Sequence, residues 1–395
     1  MKEYKGMAKD KYLPTVTACC IGIVVQAIIV NYAPLLFVTF QKTYKMPLRE
    51  ISFLIFLSFF IQLLIDATSV LYVERLGLKK CAVIAQAFSF VGLVSLGILP
   101  DIITNFRTAL LISAVLYSVG GGLIEIVGSP IVESCPSANK STRMSFLHSF
   151  YAWGQVGTIA VSTIVFAVFG IDKWKIFAII LSTVPLINVF IYLKAPMPPA
   201  EGINSGKGNL GKLLKNRIFL LFILAMICAG ASEQVMAQWA SAFAETALGV
   251  EKTVGDILGP CLFAIFLGMA RSLHAGYKGK IKLSYLLAGC GALCVLTFLV
   301  ASLSSSPVVG LFGCAFSGLA IGIMWPGVLS LSAEKIKGGP VMFSLLALGG
   351  DIGCMSGPAA AGLIAGAANG SLKAGFLGTT VFAVVFTLIM LKHKT

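Results

Sequence analysis

Four carboxylic acids stand inside long apolar stretches of the 395-residue sequence: Asp66, Glu125, Glu233 and Asp351. An ionised side chain at the centre of a lipid bilayer costs roughly 3 kcal/mol or more, so an acid retained there is a candidate functional group. Lys and Arg are absent from the deep parts of the same stretches, which predicts that the acids are either protonated or in contact with water. Because burial and hydration change the proton affinity of a carboxyl group in opposite directions, Glu125, Glu233 and Asp351 are predicted to take part in proton coupling.

His148 is a further candidate for proton coupling. It lies near the start of the apolar stretch after the one that holds Glu125, and a rise of about 1.5 Å per helical residue places both near the same membrane face, within reach of each other. A helix-end histidine bonded to backbone or lipid headgroup is the alternative. For Asp351, which stands among glycines, the alternative is a packing or hinge site. Asp66 lies within two turns of the end of its stretch, which favours a gating contact over solute binding.

Polar and aromatic side chains that suit a small solute surround Glu233. Gln234 and Gln238 are four residues apart, so they share a helix face, and Trp239 follows directly. Amides beside an indole suit a polar ligand with an apolar face, such as a sugar, whereas an interhelical polar clamp is the alternative. The predicted substrate-binding set comprises Glu233, Gln234, Gln238 and Trp239 together with Gln26, Asn31, Trp153, Gln155 and Trp325. Both tryptophans outside the cluster are expected to be buried.

The elements that hold these groups are predicted to be membrane-spanning helices. Hydrophobic residues make up 57% and charged residues 12% of the chain, against roughly 25% charged residues in soluble proteins. A transmembrane helix needs about 20 apolar residues, and apolar runs separated by charges, Gly and Pro predict twelve of them. The predicted spans are 13–40, 51–73, 81–99, 109–132, 146–169, 174–193, 218–244, 254–273, 283–302, 308–332, 341–365 and 372–391. We therefore expect an all-α integral membrane protein with short loops and no separate soluble domain.

The distribution of basic residues predicts the topology. Lys and Arg number 30 against 16 Asp and Glu, a net charge of +14, and most of them fall on one side of the twelve predicted spans. The positive-inside rule therefore places both termini in the cytoplasm of a multi-pass protein of the cell membrane. The charge is then a topology signal and does not indicate nucleic acid. The ten Cys show neither metal-ligand nor disulfide spacing and are expected to be small buried apolar residues.

The chain is predicted to contain an internal duplication. A polar stretch rich in Pro and Gly, residues 195–216, separates an N-terminal six-helix bundle (1–194) from a C-terminal one (217–395). Because each half has six spans, the two repeats have the same orientation in the membrane. Five residues recur 196 positions later on equivalent spans: Gly122, Leu123, Pro130, Gly154 and Gly157 recur as Gly318, Leu319, Pro326, Gly350 and Gly353.

Twelve spans in two parallel halves resemble the major facilitator superfamily. The loop after span two, Val73–Lys80, reads V-E-R-L-G-L-K-K and is similar to that superfamily's loop of an acidic residue, Arg, Gly and two basic residues. The resemblance implies that Arg75, with Lys79 or Lys80, closes the cytoplasmic side by contacting acidic groups or helix C-termini across the two halves. The residues assigned to gating are Asp66, Glu74, Arg75, Lys79, Lys80 and Arg271.

Spans four and five carry a narrower resemblance. Gly120–Pro130 reads G-G-G-L-I-E-I-V-G-S-P and Leu147–Gly154 reads L-H-S-F-Y-A-W-G, and both resemble the fucose and glucose proton-symporter branch, in which a Glu stands five residues before the span-four Pro. The branch's usual Asn before that Pro is Ser129 here, and Gln26 and Asn31 stand near the position where fucose members carry a span-one acid. The resemblance implies proton-coupled symport of a sugar or other small polar solute by alternating access, with spans one and seven facing each other across the cavity.

Two other functions stay open. An exporter of amphiphilic compounds is favoured by the missing span-one acid and by 27 Phe. An integral membrane enzyme would need clustered catalytic groups at one membrane face, and the chain has only three His, so no enzyme activity is predicted. The glycine patterns that bind phosphate in ATP-driven pumps are absent. The predicted partners are a small-molecule solute, protons and the lipid bilayer, with no cofactor, metal or nucleic acid, and we expect a monomer.

Overall fold

The computed structural model describes residues 11–136, 140–197, 210–275, 281–336 and 339–392. Every regular element in these ranges is helical, and 12 helices are long and apolar enough to cross a membrane, so the predicted all-α architecture with twelve spans is confirmed. Several helices extend past the predicted apolar runs, because a helix persists into the polar interface where hydropathy no longer marks it.

Most spans are single helices. A 3-10 turn, Ile171–Lys173, precedes span 6, and a short helix, Leu210–Lys215, precedes span 7. The bounds are Leu48–Leu76 for span 2, Leu78–Ile102 for span 3, Phe106–Ser134 for span 4, Lys140–Phe169 for span 5, Trp174–Lys194 for span 6, Arg217–Thr246 for span 7, Leu283–Leu303 for span 9, Pro307–Lys335 for span 10, Gly339–Ala367 for span 11 and Leu372–Lys392 for span 12.

Spans 1 and 8 are interrupted, and a proline stands at each interruption. Pro34 lies in a 3-10 turn of span 1 and Pro260 in a π-helical turn of span 8. Proline has no N–H to donate to the carbonyl four residues earlier, so one α-helical hydrogen bond is missing at each position. The segments are Leu13–Tyr32, Ala33–Leu36 and Phe37–Tyr44 in span 1, and Lys252–Asp256, Ile257–Cys261 and Leu262–Ala275 in span 8.

Glycine lets spans 4 and 10 approach their neighbours closely. A Cβ placed on Gly122 of span 4 would lie 3.1 Å from the Cα of Gln62 in span 2. At the equivalent position of the second repeat, a Cβ on Gly318 of span 10 would lie 2.3 Å from the carbonyl oxygen of Phe263 in span 8. These equivalent glycines therefore pack the fourth span of each repeat on the second.

The first and fifth spans of each repeat are related in the same way. A Cβ on Gly154 of span 5 would lie 2.9 Å from the Cβ of Ala27 in span 1. In the second repeat, the carbonyl oxygen of Gly350 in span 11 lies 2.2 Å from the position of a Cβ on Gly230 of span 7. Small residues at such contacts are typical of helices that associate in lipid. Equivalent helix pairs thus confirm the two parallel six-helix repeats.

Contacts divide the chain into two compact units. The first takes in the described residues of 1–33, 61–158 and 165–203, and the second those of 34–60, 159–164 and 204–395. Spans 3, 4 and 6 lie wholly in the first unit and spans 7 to 12 in the second, whereas spans 1, 2 and 5 contribute residues to both. The predicted linker at 195–216 falls mostly outside the described residues. The ten cysteines are buried and free of disulfides, as predicted.

Candidate functional site

Span 7 carries a charged group inside its buried stretch. Every residue from Cys228 to Ala244 is buried, because span 7 packs against spans 10, 11 and 12 of the second unit. The Glu233 side chain in this stretch is 9% exposed and pairs with Arg271 of span 8. The Nη2 atom of Arg271 lies 3.0 Å from Oε1 and 2.8 Å from Oε2 of Glu233. The carboxylate is therefore held by a charge-assisted contact to both oxygens.

This ion pair contradicts the prediction that the buried acids lack a basic partner. Arg271 stands near the end of span 8, but its long aliphatic stem lets the guanidinium extend to Glu233. A buried charge persists in a protein interior when it is paired and hydrogen-bonded. Among the described residues, Nε of Arg271 and Nδ1 of His274 are buried without a partner. The guanidinium thus keeps one donor that the ion pair does not use, and His274 stands three residues further along span 8.

The two amides predicted for the solute site lie one turn apart on span 7. Gln234 is 5% and Gln238 is 3% exposed, and Nε2 of Gln238 donates to Oε1 of Gln234 over 3.3 Å. Trp239 is fully buried, and its Nε1 donates to the carbonyl oxygen of Pro358 over 2.9 Å. Its ring lies 5.3 Å from that of Phe37. The indole therefore packs between spans 1 and 11 in the second unit, with its N–H already used.

The first unit contains a second pair of amides. Nε2 of Gln26 donates to Oε1 of Gln62 over 2.8 Å, and Gly121 leaves room for them, because a Cβ there would lie 2.7 Å from Oε1 of Gln26. That oxygen is buried without a partner among the residues that the structure describes. Asn31 donates to the carbonyl of Ala27 in its own helix over 2.9 Å. The sequence prediction missed Gln62, although a Gln inside an apolar run was the available signal.

Glu125 lies beside Asp66 in the first unit. Gly122 contacts Gln62, and one turn further along each helix are Glu125 and Asp66. Their carboxyl groups are close enough for the two charges to interact, and within the described residues neither forms a salt bridge. Glu125 is exposed and Asp66 is half-buried. The two acids therefore lie on neighbouring helices at the same level of the first unit.

His148 contacts the helix that carries Glu125. Its Nε2 lies 3.3 Å from the hydroxyl oxygen of Ser129, which is one turn after Glu125. Ser129 is the residue that stands where the fucose and glucose branch has Asn. The histidine therefore contacts the face of span 4 that carries Glu125, through the serine hydroxyl.

The other residues predicted to bind the solute or carry the proton differ in how far they are buried. Trp153 is 60% exposed, so the expectation that it is buried was wrong. Trp325 is half-buried, and its ring would lie 2.0 Å from a Cβ on Gly350. Gln155 is 2% exposed, and Asp351 is half-buried.

The loop predicted to gate makes its main contact inside the first unit. Nζ of Lys79 donates to the carbonyl oxygens of Leu193 and Ala195, each over 2.9 Å. The last carbonyls of a helix lack intrahelical partners, so Lys79 caps the C-terminus of span 6. Lys79 thus contacts a helix C-terminus of its own unit, whereas the predicted contact was across the two halves. Arg75 and Lys80 are exposed, and the side chain of Glu74 lies outside the described residues.

Sequence reasoning missed a buried acid, Asp256. It is 1% exposed, and its Oδ2 lies 3.0 Å from Nζ of Lys252, four residues earlier in span 8. Ser241 donates to Oδ1 over 2.5 Å and Thr163 to Oδ2 over 3.5 Å. Lys252 also donates to the carbonyl of Leu35 over 2.7 Å. The available signal was a Lys and an Asp at i and i+4 in the first turns of a span.

Solved structures of transporters share this fold. The D-xylose-proton symporter has a TM-score of 0.77 at 13% identity, covering 96% of this chain and 98% of that one. A variant of the nucleoside transporter NupG has a TM-score of 0.78 at 12% identity, covering 98% and 100%. A variant of the E. coli fucose:proton symporter FucP has a TM-score of 0.64 at 14% identity, again covering 98% and 100%. At these identities the likeness shows the fold alone.

A comparison with curated proteins finds no match. The family model of the Major Facilitator Superfamily, in contrast, matches residues 18–341, which is most of the chain. The chain belongs to the major facilitator superfamily.

Proposed function

We propose that this chain is a secondary active transporter that moves a sugar or another small polar solute together with protons across the cell membrane by alternating access. Membership of the superfamily and the twelve apolar spans support transport. Two proteins with the same fold are described as proton symporters, one of xylose and one of fucose, which supports the choice of solute and coupling ion. The proposal includes no chemical conversion of the solute and no cofactor.

The observation that carries the proposal is the run of buried polar groups on span 7. Glu233, Gln234 and Gln238 lie where every neighbour along the helix is buried, and Arg271 joins them from span 8. Desolvated polar groups are retained in a membrane interior when they bond one another or a ligand. Amide groups and a charged pair offer both donors and acceptors, which is what a polyhydroxylated solute requires. Gln26 and Gln62 of the first unit offer the same chemistry.

The proton-carrying group in this proposal is Glu125. Within the described residues it lacks a basic partner, whereas Glu233 is paired with Arg271. Asp66 and His148 stand near it and provide groups with which a proton can be exchanged. Asp351 and Glu233 are second choices. The topology that goes with this role has both termini in the cytoplasm, and the protein acts as a monomer.

The test is solute uptake by the purified protein in liposomes. A thermal-shift screen against pentoses, hexoses, nucleosides, amino acids and amphiphilic cations selects the ligand, because a ligand that binds the folded state raises the melting temperature. Uptake of that ligand is then measured with an inside-alkaline pH gradient and after a protonophore has collapsed it. We expect a sugar or similar solute to bind and to accumulate only with the gradient.

Two outcomes would overturn the proposal. Stabilisation by amphiphilic cations alone would replace the symporter with an exporter. Uptake of a polar solute at equal rates with and without the gradient would reject proton coupling.

A further inference from the structure

A buried hydrogen-bonded network lies in the second unit, apart from the polar groups of the proposed solute site. We call the set Leu35, Thr163, Ser241, Lys252 and Asp256 the Lys252 network. It stands where span 7 ends and span 8 begins, which the positive-inside rule predicts to be the extracellular end. All five residues belong to the second unit, although Leu35 comes from span 1 and Thr163 from span 5. The network thus bonds spans of the first repeat to spans of the second.

The ion pair at its centre is contained within one helix. Lys252 and Asp256 are four residues apart on span 8, and Ser241 of the adjoining span 7 donates to the same carboxylate. Removing one partner of a buried ion pair leaves an uncompensated charge and is strongly unfavourable. Because both charges belong to span 8, spans 1 and 5 can move away from span 8 without separating Lys252 from Asp256. Only neutral partners are lost, namely the Leu35 carbonyl and the Thr163 hydroxyl.

Local geometry fixes the position of Lys252. Glu251 is the N-cap of the first helix of span 8, where its carboxylate accepts from the N–H of Val254 over 3.2 Å and from the Thr253 hydroxyl over 2.9 Å. Hydrogen bonds from Thr253 and Val254 hold the pKa of Glu251 below its usual range, so the cap stays ionised at neutral pH. The π-helical turn begins directly after Asp256. The ion pair therefore occupies a short helix defined at both ends.

Apolar packing seals the same end of the second unit. Phe37 of span 1 is 1% exposed against the ring of Trp239. A Cβ on Gly362 of span 11 would lie 1.9 Å from the hydroxyl of Ser52 in span 2, so these spans are in close contact. The hydrophobic part of this packing is non-directional. The bonds of Lys252 are directional and add to it a fixed contact between spans 1 and 8.

We propose that Lys252 is a positioning residue of the transport cycle, a latch that holds the predicted extracellular end closed by donating to the Leu35 carbonyl while it remains paired with Asp256. Opening breaks the bonds to spans 1 and 5 and leaves the ion pair intact. The inference rests on the alternating-access part of the proposed function. It requires neither a particular solute nor proton coupling.

The experiment measures accessibility of the closed end. Ser52, 1% exposed, is replaced by Cys as a reporter, and its reaction rate with a membrane-impermeant maleimide is followed in proteoliposomes without solute. The native cysteines are all buried and give a low background. In the reporter background, Lys252→Met removes the ammonium group and keeps the aliphatic stem. One charge-assisted hydrogen bond corresponds to about a tenfold shift of an equilibrium, so we expect labelling about tenfold faster.

Three matched variants separate the latch from a merely structural role. Lys252→Met with Asp256→Asn removes both charges; the latch predicts that labelling stays fast, whereas relief of an unpaired carboxylate would return it to the parental rate. Thr163→Val deletes one weak bond and keeps the ion pair, and should accelerate labelling less. Lys42→Ala breaks the Lys42–Glu245 pair, in which Lys42 is 69% exposed, and should change nothing, because exposed pairs contribute little.

Parental labelling in a folded Lys252→Met protein would overturn the latch, and so would parental labelling in the double variant. If Lys252→Met does not fold, Thr163→Val decides, and an unchanged rate there overturns it. Absence of solute uptake by the parental protein would instead overturn the proposed function, since labelling needs no solute.

Discussion

One guanidinium nitrogen of Arg271 lies within 3.0 Å of both carboxylate oxygens of Glu233, and this contact joins spans 7 and 8 inside the second unit. It distinguishes Glu233 from Glu125, for which the described residues provide no basic partner. An ion pair holds a carboxylate in a fixed position between two helices, whereas an acid inside a span without a cationic partner is a candidate functional group. The two acids are therefore suited to different tasks.

The first prediction concerns the energy of this ion pair. Glu233→Gln or Arg271→Met alone leaves one charge without its partner. Each single variant should therefore lose more than half of the stability that the double variant loses. We expect a coupling energy of about 1–3 kcal/mol. Thermal unfolding of the four proteins of the double-mutant cycle measures it. Strictly additive effects would show that the contact contributes no stability.

The second prediction concerns Glu125. Glu125→Gln keeps the shape and hydrogen-bonding capacity and fixes the neutral state, so gradient-driven accumulation should be lost while solute binding and counterflow exchange remain. Uptake into liposomes with and without a pH gradient measures this. Glu233→Gln is the comparison, because it removes an acid that already has a partner. Wild-type accumulation by Glu125→Gln would move the coupling role to Glu233 or Asp351.

The third prediction concerns the amides of span 7. Gln238→Ala removes a buried donor and should weaken solute binding by about 1–3 kcal/mol. Ser232→Ala is the matched control, since the Ser232 hydroxyl is buried on the same span and donates to its own helix, at the carbonyl of Cys228 over 2.8 Å. Binding is followed by titration of the stabilising ligand. Equal affinities of the two variants would mean that the solute lies elsewhere.

The fourth prediction concerns helix packing. A Cβ on Gly353 of span 11 would lie 2.0 Å from the carbonyl oxygen of Ile227 in span 7, so Gly353→Ala should destabilise the protein by about 1–3 kcal/mol. Gly289 of span 9 has no atom within 4 Å of its Cβ position. Gly289→Ala should be neutral or stabilise by about 0.5–1 kcal/mol, because alanine is the better helix former. Melting temperatures of both variants check the contrast.

The spans and the repeats could be predicted because each is marked by a pattern along the sequence: a run of apolar residues for a span, and residues that recur at one offset for the repeats. A span needs about 20 apolar residues in a row, and this requirement identifies spans 2 and 12 equally well. The recurrence of Gly122 as Gly318 and of Gly154 as Gly350 is visible at a single offset, and the glycines lie at equivalent helix contacts.

Side-chain partners could not be predicted in the same way. Arg271 was assigned to the cytoplasmic end because only its Cα position follows from counting, whereas the reach of its side chain depends on how span 8 lies against span 7. Asp256 was overlooked because it stands in the first turns of its span, beside Lys252. Trp239 packs on Phe37, directly after the 3-10 turn of span 1, and periodicity does not indicate that turn. The pairing of Arg271 with Glu233 and the packing of Trp239 are contacts between residues far apart in the sequence, which counting along one helix does not reveal.

The contacts of Gly122 and Gly154 in the first repeat, and of Gly318 and Gly230 in the second, each join two spans of the same repeat and require no helix from the other repeat. Once the sixth span of a nascent chain is in the bilayer, all the helix surfaces that make the contacts of Gly122 and Gly154 are therefore already present. The second repeat can then form the equivalent glycine contacts among its own spans. Order of synthesis and order of assembly can coincide in such a chain, which shortens the time during which small-residue faces stand unpaired in lipid.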